Sequence, residues 1–143
     1  MRVFIDSNIP MYVAGGDHPN RKIALEFLKR IEERELEGCT STEVLQEILY
    51  RYSSLAKLNL AQRVYDAFVE LCPEVLPITL AETDVARDLV CDGNNSPHRQ
   101  QTGAISCRDA LHAATMRNHG IEWIATFDKG FDNFPGIRRY RLI

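Results

Sequence analysis

Residues 2–6 read Arg2-Val3-Phe4-Ile5-Asp6, and residues 121–128 read Ile121-Glu122-Trp123-Ile124-Ala125-Thr126-Phe127-Asp128. Each is a short, mostly apolar run that ends on an acid. A run of that length without alternation predicts a strand covered on both faces. In open α/β sheets the chemistry gathers beyond the carboxyl ends of the strands, where strand order reverses. The two runs therefore predict Asp6 and Asp128 just past two strand ends.

Working outward, Asp17-His18-Pro19-Asn20 is a helix-start signal. Ile23, Ala24, Phe27, Leu28 and Ile31 recur at helical spacing up to about Glu37, with Gly38 as the stop. Cys39 and Thr40 leave room for a very short strand. A helix over 42–55 follows, capped by Ser41 or Thr42 and carrying Val44, Leu45, Ile48, Leu49 and Tyr52 inward. Asn59 with Gln62 reads as a capping box opening a helix over 59–72, which Pro73 ends. Val75 to Ile78 is a third strand. Thr79 with Glu82 is a second box, opening a helix to about Val90. Residues 92–104 are polar, aperiodic and loop-like. Ser106 with Asp109 starts a late helix that Gly120 ends, and 137–143 reads as a fifth strand. Alternating strands and helices predict an α/β sandwich with a mainly parallel central sheet, and 1–143 reads as one domain.

The chain has 143 residues, 45% hydrophobic and 26% charged, with a formal net charge of −3. That composition excludes a disordered chain, and no apolar run has the length a membrane helix needs. The first residues do not resemble a secretory leader, so a cytoplasmic protein is expected. The four cysteines, Cys39, Cys72, Cys91 and Cys107, form no CxxC pair, which argues against structural zinc or a disulfide framework.

Most of the 20 acids must be solvated surface. Four stand where a charge is costly. Asp6 and Asp128 follow strands, Asp109 sits in the first turn of the late helix, and Glu47 lies among Val44, Leu45, Ile48 and Leu49. Glu43, one turn earlier, shares the face of Glu47. Carboxylates drawn together repel unless a cation joins them. Oxygen ligands without cysteine or histidine point to Mg²⁺ or Mn²⁺, and such an ion suits phosphodiester hydrolysis. Arg108 and Lys129, beside two of the acids, and Arg99 in the long loop are candidate phosphate contacts. His112 reads as a packed helix residue.

The segments VFIDSNI (3–9), TSTEVLQEIL (40–49), SCRDALHAA (106–114) and IATFDKGF (124–131) resemble the PIN-domain nucleases, in particular the VapC-like toxins of toxin–antitoxin pairs. The resemblance covers essentially the whole chain. It implies a three-layer sandwich with a five-stranded sheet in order 3-2-1-4-5, helices on both faces, and an endoribonuclease using Mg²⁺ or Mn²⁺. Asp6, Glu47, Asp109 and Asp128 match the family's acids, while Asn8 and Thr126 match its small polar residues beside them. It also implies an RNA substrate, a homodimer and a cognate antitoxin. Relatives carry a further acid where this chain has Gly130, with Asp132 two positions on. A PIN nuclease of RNA maturation and a non-catalytic PIN-like scaffold share the same residues. Haloacid-dehalogenase phosphatases and receiver domains fit poorly, because Asn8 stands where the former need a second aspartate and Pro77-Ile78-Thr79 where the latter need a phosphoacceptor.

Overall fold

The first strand, β1 (Arg2–Ile5), lies at the centre of the sheet, with Val3, Phe4 and Ile5 all fully buried. Burying such side chains contributes roughly 1.5–3 kcal/mol apiece, so this strand anchors the core. It pairs in parallel with β2 (Glu37–Ser41) on one side and β4 (Trp123–Ala125) on the other. Strands β3 (Glu74–Leu76) and β5 (Arg138–Arg139) close the edges, giving the order β3-β2-β1-β4-β5 with every pair parallel. This computed structural model describes residues 1–94 and 105–143. The chain steps outward from β1 to β3 and then returns to the other side of β1. Right-handed crossovers in both directions put helices on both faces, a three-layer α/β sandwich. The switch point lies between β1 and β4, where Asp6 and Asp128 emerge.

A helix that the sequence reading lacks, α1 (Asn8–Ala14), follows β1 directly. Pro10 sits in its first turn, where an amide hydrogen is not needed. Helix α2 (Pro19–Glu32) opens with Pro19 at its first position, and His18 Nδ1 accepts the Asn20 amide at 3.0 Å. It stops about five residues before the expected end. Arg34 takes a left-handed φ of 59°, and the Glu35 amide reaches back to the Arg30 carbonyl at 3.0 Å. That is the helix stop usually made by glycine. Gly38 lies instead inside β2, where a β-carbon would meet Ile31 Cγ2 at 2.9 Å and Ile5 Cδ1 at 3.0 Å. Its role is close packing of α2 on the sheet.

Helix α3 (Thr42–Ser54) is capped by Ser41, whose hydroxyl accepts the Val44 amide. Helix α4 (Leu58–Leu71) starts one residue before Asn59, and its Lys57 cap makes no side-chain bond, so the expected Asn59–Gln62 box does not form. The Glu82 carboxylate does reach back to the Thr79 amide and hydroxyl, opening α5 (Leu80–Asn94). That helix runs past Val90, so residues 92–94 are helical rather than loop. The rest of the expected loop, with Arg99, lies outside the described residues. Helix α6 (Cys107–Asn118) packs on α5 through Ala86, Ala110 and Ala114, small side chains that let the two backbones approach. The Lys129–Asn133 stretch is a 3₁₀ turn. The fourth and fifth strands are shorter than expected, three and two residues. No described helix is long and apolar enough to cross a membrane.

Candidate functional site

Asp6 leaves β1 while its amide still donates to the Ala125 carbonyl at 3.1 Å, so the first acid is fixed by the sheet. The residue is buried, at 6% exposure. Three donors hold its carboxylate. The Ser7 amide donates to Oδ1 at 2.7 Å, and Thr126 Oγ1 and Asn8 Nδ2 donate to Oδ2 at 2.7 and 3.2 Å. Thr126 Oγ1 also accepts the Asp128 amide at 3.0 Å, tying the last acid to the first. Asn8 bridges the same strands, donating to Thr126 Oγ1 and accepting the Phe127 amide. Burial raises the Asp6 carboxyl above its ordinary range, against the pull of His112 and the Thr126 hydrogen bond.

Glu47, on α3 and 4% exposed, faces Asp6 across a buried His112. His112 Nε2 lies 2.7 Å from Glu47 Oε1 and 3.8 Å from Asp6 Oδ1. A carboxylate only accepts, so Nε2 carries the proton of that bond. The Ser7 hydroxyl donates to Glu47 Oε2. Ser7 stands at the N-cap of α1 yet makes no capping bond, because its hydroxyl is committed to Glu47. The half-exposed Arg108 brings Nε within 3.5 Å of Glu47 Oε1. Burial opposes a charged His112, but the Glu47 hydrogen bond and the charges of Asp6, Glu47 and Asp109 outweigh it and raise the imidazole. Glu43 stays partly exposed one turn back, its carboxyl raised by burial and by Glu47.

Asp109 and Asp128 form the open side. The Ser106 hydroxyl caps α6 by accepting the Asp109 amide at 3.1 Å, which places Asp109 in the first turn. Its carboxyl is pushed up to about 6, by burial first and then by the charges of Asp128 and Asp6. Asp128 is exposed, and its Oδ1 accepts the Gly130 amide at 2.8 Å. A β-carbon at 130 would sit 3.0 Å from Asp128 Oδ1 and 3.7 Å from Asp109 Oδ2, so a side chain there would crowd Asp128 and touch Asp109. Asp132 does not join them. Arg139 holds it through two hydrogen bonds of 2.8 and 2.9 Å, and this pairing lowers its carboxyl. Lys129 is exposed beside Asp128.

The profile of the PIN domain matches residues 3–137. The chain belongs to the PIN-domain family. It is 40% identical over 141 residues to the VapC ribonuclease Mb1869c of Mycobacterium bovis, covering 96% of this chain and 98% of that one. Among solved structures, VapBC2 from Rickettsia felis bound to a DNA fragment from their promoter superposes with a TM-score of 0.74 at 18% identity, over 98% of both chains. The Mycobacterium tuberculosis VapC20, a Sarcin-Ricin loop cleaving toxin, gives 0.68 at 21% identity, over 95% of this chain and 98% of that one.

In this PIN domain the oxygen donors of Asp6, Glu47, Asp109 and Asp128 suit a hard divalent cation. The raised carboxyls of Asp6 and Asp109 mark charge that the surrounding protein does not balance. His112 adds a donor atom within 4.8 Å of those of Asp6 and Glu47. It is not built as a ligand. A metal-bound histidine normally passes its other N–H to an acceptor, whereas Nδ1 of His112 is buried with no hydrogen-bond partner among the described residues. The imidazole is placed to hold Glu47. The sequence reading made His112 a packing residue and left Ser7 unassigned. The available signal was spacing, since His112 lies three residues after Asp109 and so shares its helix face.

Proposed function

We propose that this chain is a metal-dependent endoribonuclease and the toxin of a toxin–antitoxin pair. The observation that carries the reading is the meeting of Asp6, Asp109 and Asp128 at the switch point of the sheet. Two come from strand ends and one from a helix N-terminus, and Asp109 feels the charges of both Asp128 and Asp6. Asp6, Glu47, Asp109 and Asp128 would hold Mg²⁺ or Mn²⁺, with Asn8 and Thr126 keeping Asp6 in place. When bound, such an ion activates water and stabilises charge on a phosphodiester. Arg108 and Lys129 flank the acids on the solvent side and suit the phosphates of an RNA strand. The kinship with VapC ribonucleases supports RNA as the substrate and an antitoxin as the partner. A cytoplasmic location accords with this.

A homodimer belongs to the same reading. Of Tyr50, Tyr52, Leu55 and Leu58, the apolar residues in and beside α3 and α4 that could form such a contact, Tyr52 is in the core at 6% exposure. Tyr50, Leu55 and Leu58, 60%, 47% and 67% exposed around the α3–α4 turn, are what a second copy would cover. A monomer in size-exclusion chromatography with light scattering would remove the dimer from the proposal.

The test is cleavage of a labelled single-stranded RNA panel in Mn²⁺, Mg²⁺ or EDTA, comparing wild type with Asp6→Asn and Asp109→Asn. Cutting that needs the metal and is lost in both variants is expected. Cutting that survives both substitutions would place the activity elsewhere. A folded wild type that neither cuts nor binds Mn²⁺ would favour the scaffold reading.

A further inference from the structure

Glu47 has three partners of unequal standing. The Ser7 hydroxyl and His112 Nε2 hydrogen-bond its two oxygens from inside, and both residues are buried. Arg108 comes from outside. Its Nε lies 3.5 Å from Glu47 Oε1 with no hydrogen bond between them, the arginine side chain 54% exposed and the glutamate 5%. Among the described residues, every other ion pair of a lysine or arginine joins two side chains that are each at least 30% exposed. Those pairs contribute little, because water competes for both partners. Arg108 instead meets a carboxylate that water hardly reaches.

A buried carboxylate is costly without an opposite charge beside it. A guanidinium keeps its charge at any working pH. Among the described residues, Arg108 is the one such permanent cation within 4.0 Å of Glu47. It also sits in the first turn of α6, where the helix dipole disfavours a cation. The attraction that holds it there is that of Glu47, not that of its own helix. Yet Glu47 is among the carboxylates that suit a divalent ion, and two cations drawn to one carboxylate repel each other. Ser7 and His112 donate hydrogen bonds from fixed, buried places and can stay when an ion arrives. Arg108, loosely held and open to solvent, can leave.

We propose that Arg108 is a latch on Glu47: it is the counter-cation of that carboxylate in the metal-free protein, and it yields the carboxylate when a divalent ion binds. The inference rests on the metal-dependent reading above. It makes Arg108 a positioning residue that holds the metal affinity of the site below what the acids alone would give. The guanidinium becomes available on the solvent side only once the metal is in place, which couples the two events.

The experiment titrates RNA-free protein with Mn²⁺, reading the free ion by EPR. Arg108→Ala should bind Mn²⁺ about fivefold more tightly than wild type, the upper end for a half-exposed ion pair. Arg108→Gln, which keeps a long polar side chain, should show the same gain. Lys129, beside Asp128, forms no ion pair among the described residues, so Lys129→Ala should gain less than about twofold through screened charge alone. An equal gain in Lys129→Ala would make Arg108 one more distant charge and overturn the latch. Unchanged affinity in both Arg108 variants overturns it too. A second measurement watches Arg108 itself in the wild type. The ¹H–¹⁵N NOE of its Nε–H, assigned by its loss in Arg108→Gln, should be high without metal and fall at saturating Mg²⁺. A value that stays high with Mg²⁺ bound means that the guanidinium never leaves, and the proposal fails. A folded wild type that binds neither ion removes the metal-dependent reading beneath it.

Discussion

The acidic cluster has two unlike halves. On one side Asp6, Glu47, His112 and Thr126 are all under 7% exposed and bonded to one another directly or through Ser7 and Asn8. On the other side Asp128 is exposed, Asp109 is partly so, and Gly130 keeps a side chain from crowding them. The first half is a frame whose geometry the protein enforces, since burying charged groups without partners would be costly. The second half has fewer bonds to break before a ligand can bind. A site that must hold its shape and still exchange substrate gains from such a division, with precision inside and access outside.

The largest effect should come from the frame. Asp6→Asn keeps the side-chain shape but removes the charge, and is expected to lower single-turnover RNA cleavage by roughly a thousandfold, the several kcal/mol that a lost metal contact represents. Retention of near wild-type cleavage would break the division at its centre. Next, His112→Ala should weaken Mn²⁺ binding by about 10–100-fold, as loss of a group that orients a ligand commonly does. Isothermal titration or Mn²⁺ EPR reads this without any RNA. An unchanged affinity would make His112 packing alone, filling the space between Phe4 and Phe131.

The open half should announce itself through pH. Asp109 titrates at about 6 in the fold, against an ordinary 3.8. Its folded value is the higher, so the folded state holds its proton more tightly. Its contribution is fully present below 3.8 and is lost as pH rises through about 6. In EDTA, the thermal midpoint of wild type should therefore fall across that window, and Asp109→Asn should flatten the fall. A fall of the same size in the variant would assign it to Asp6 or Glu43, whose carboxyls are also raised. The smallest effect is expected at Asp132→Asn. Breaking an exposed pair with Arg139 costs at most about 1 kcal/mol, and RNA cleavage should not change. Loss of cleavage there would draw Asp132 into the site.

The central strands were legible because β1 and β4 are covered on both faces, which leaves an uninterrupted apolar run ending on an acid. Helix α1 was not, since Pro10 and the paired Gly15-Gly16 read as loop and Ser7, its natural cap, is diverted to Glu47. The end of α2 was misplaced because Arg34 takes the left-handed turn usually given to glycine, while Gly38 serves packing inside a strand. The acids stood out through the apolar company they keep. His112 did not, because its partners Glu47 and Asp6 are distant in sequence and a histidine among alanines looks like filler. Asp132 could be weighed only once Arg139 was seen to hold it.

The frame also sets when a growing chain acquires its site. Asp6 waits for a hydroxyl 120 residues later, and Glu47 for an imidazole 65 residues later. A translation product stopped before Thr126 carries Asp6, Glu47 and Asp109 but lacks Asp128 itself and the Thr126 hydroxyl that holds Asp6. The bonded frame exists only when β4 has been made and has docked beside β1. A product cut before Thr126 should therefore lack the bonded frame, whatever acids it carries.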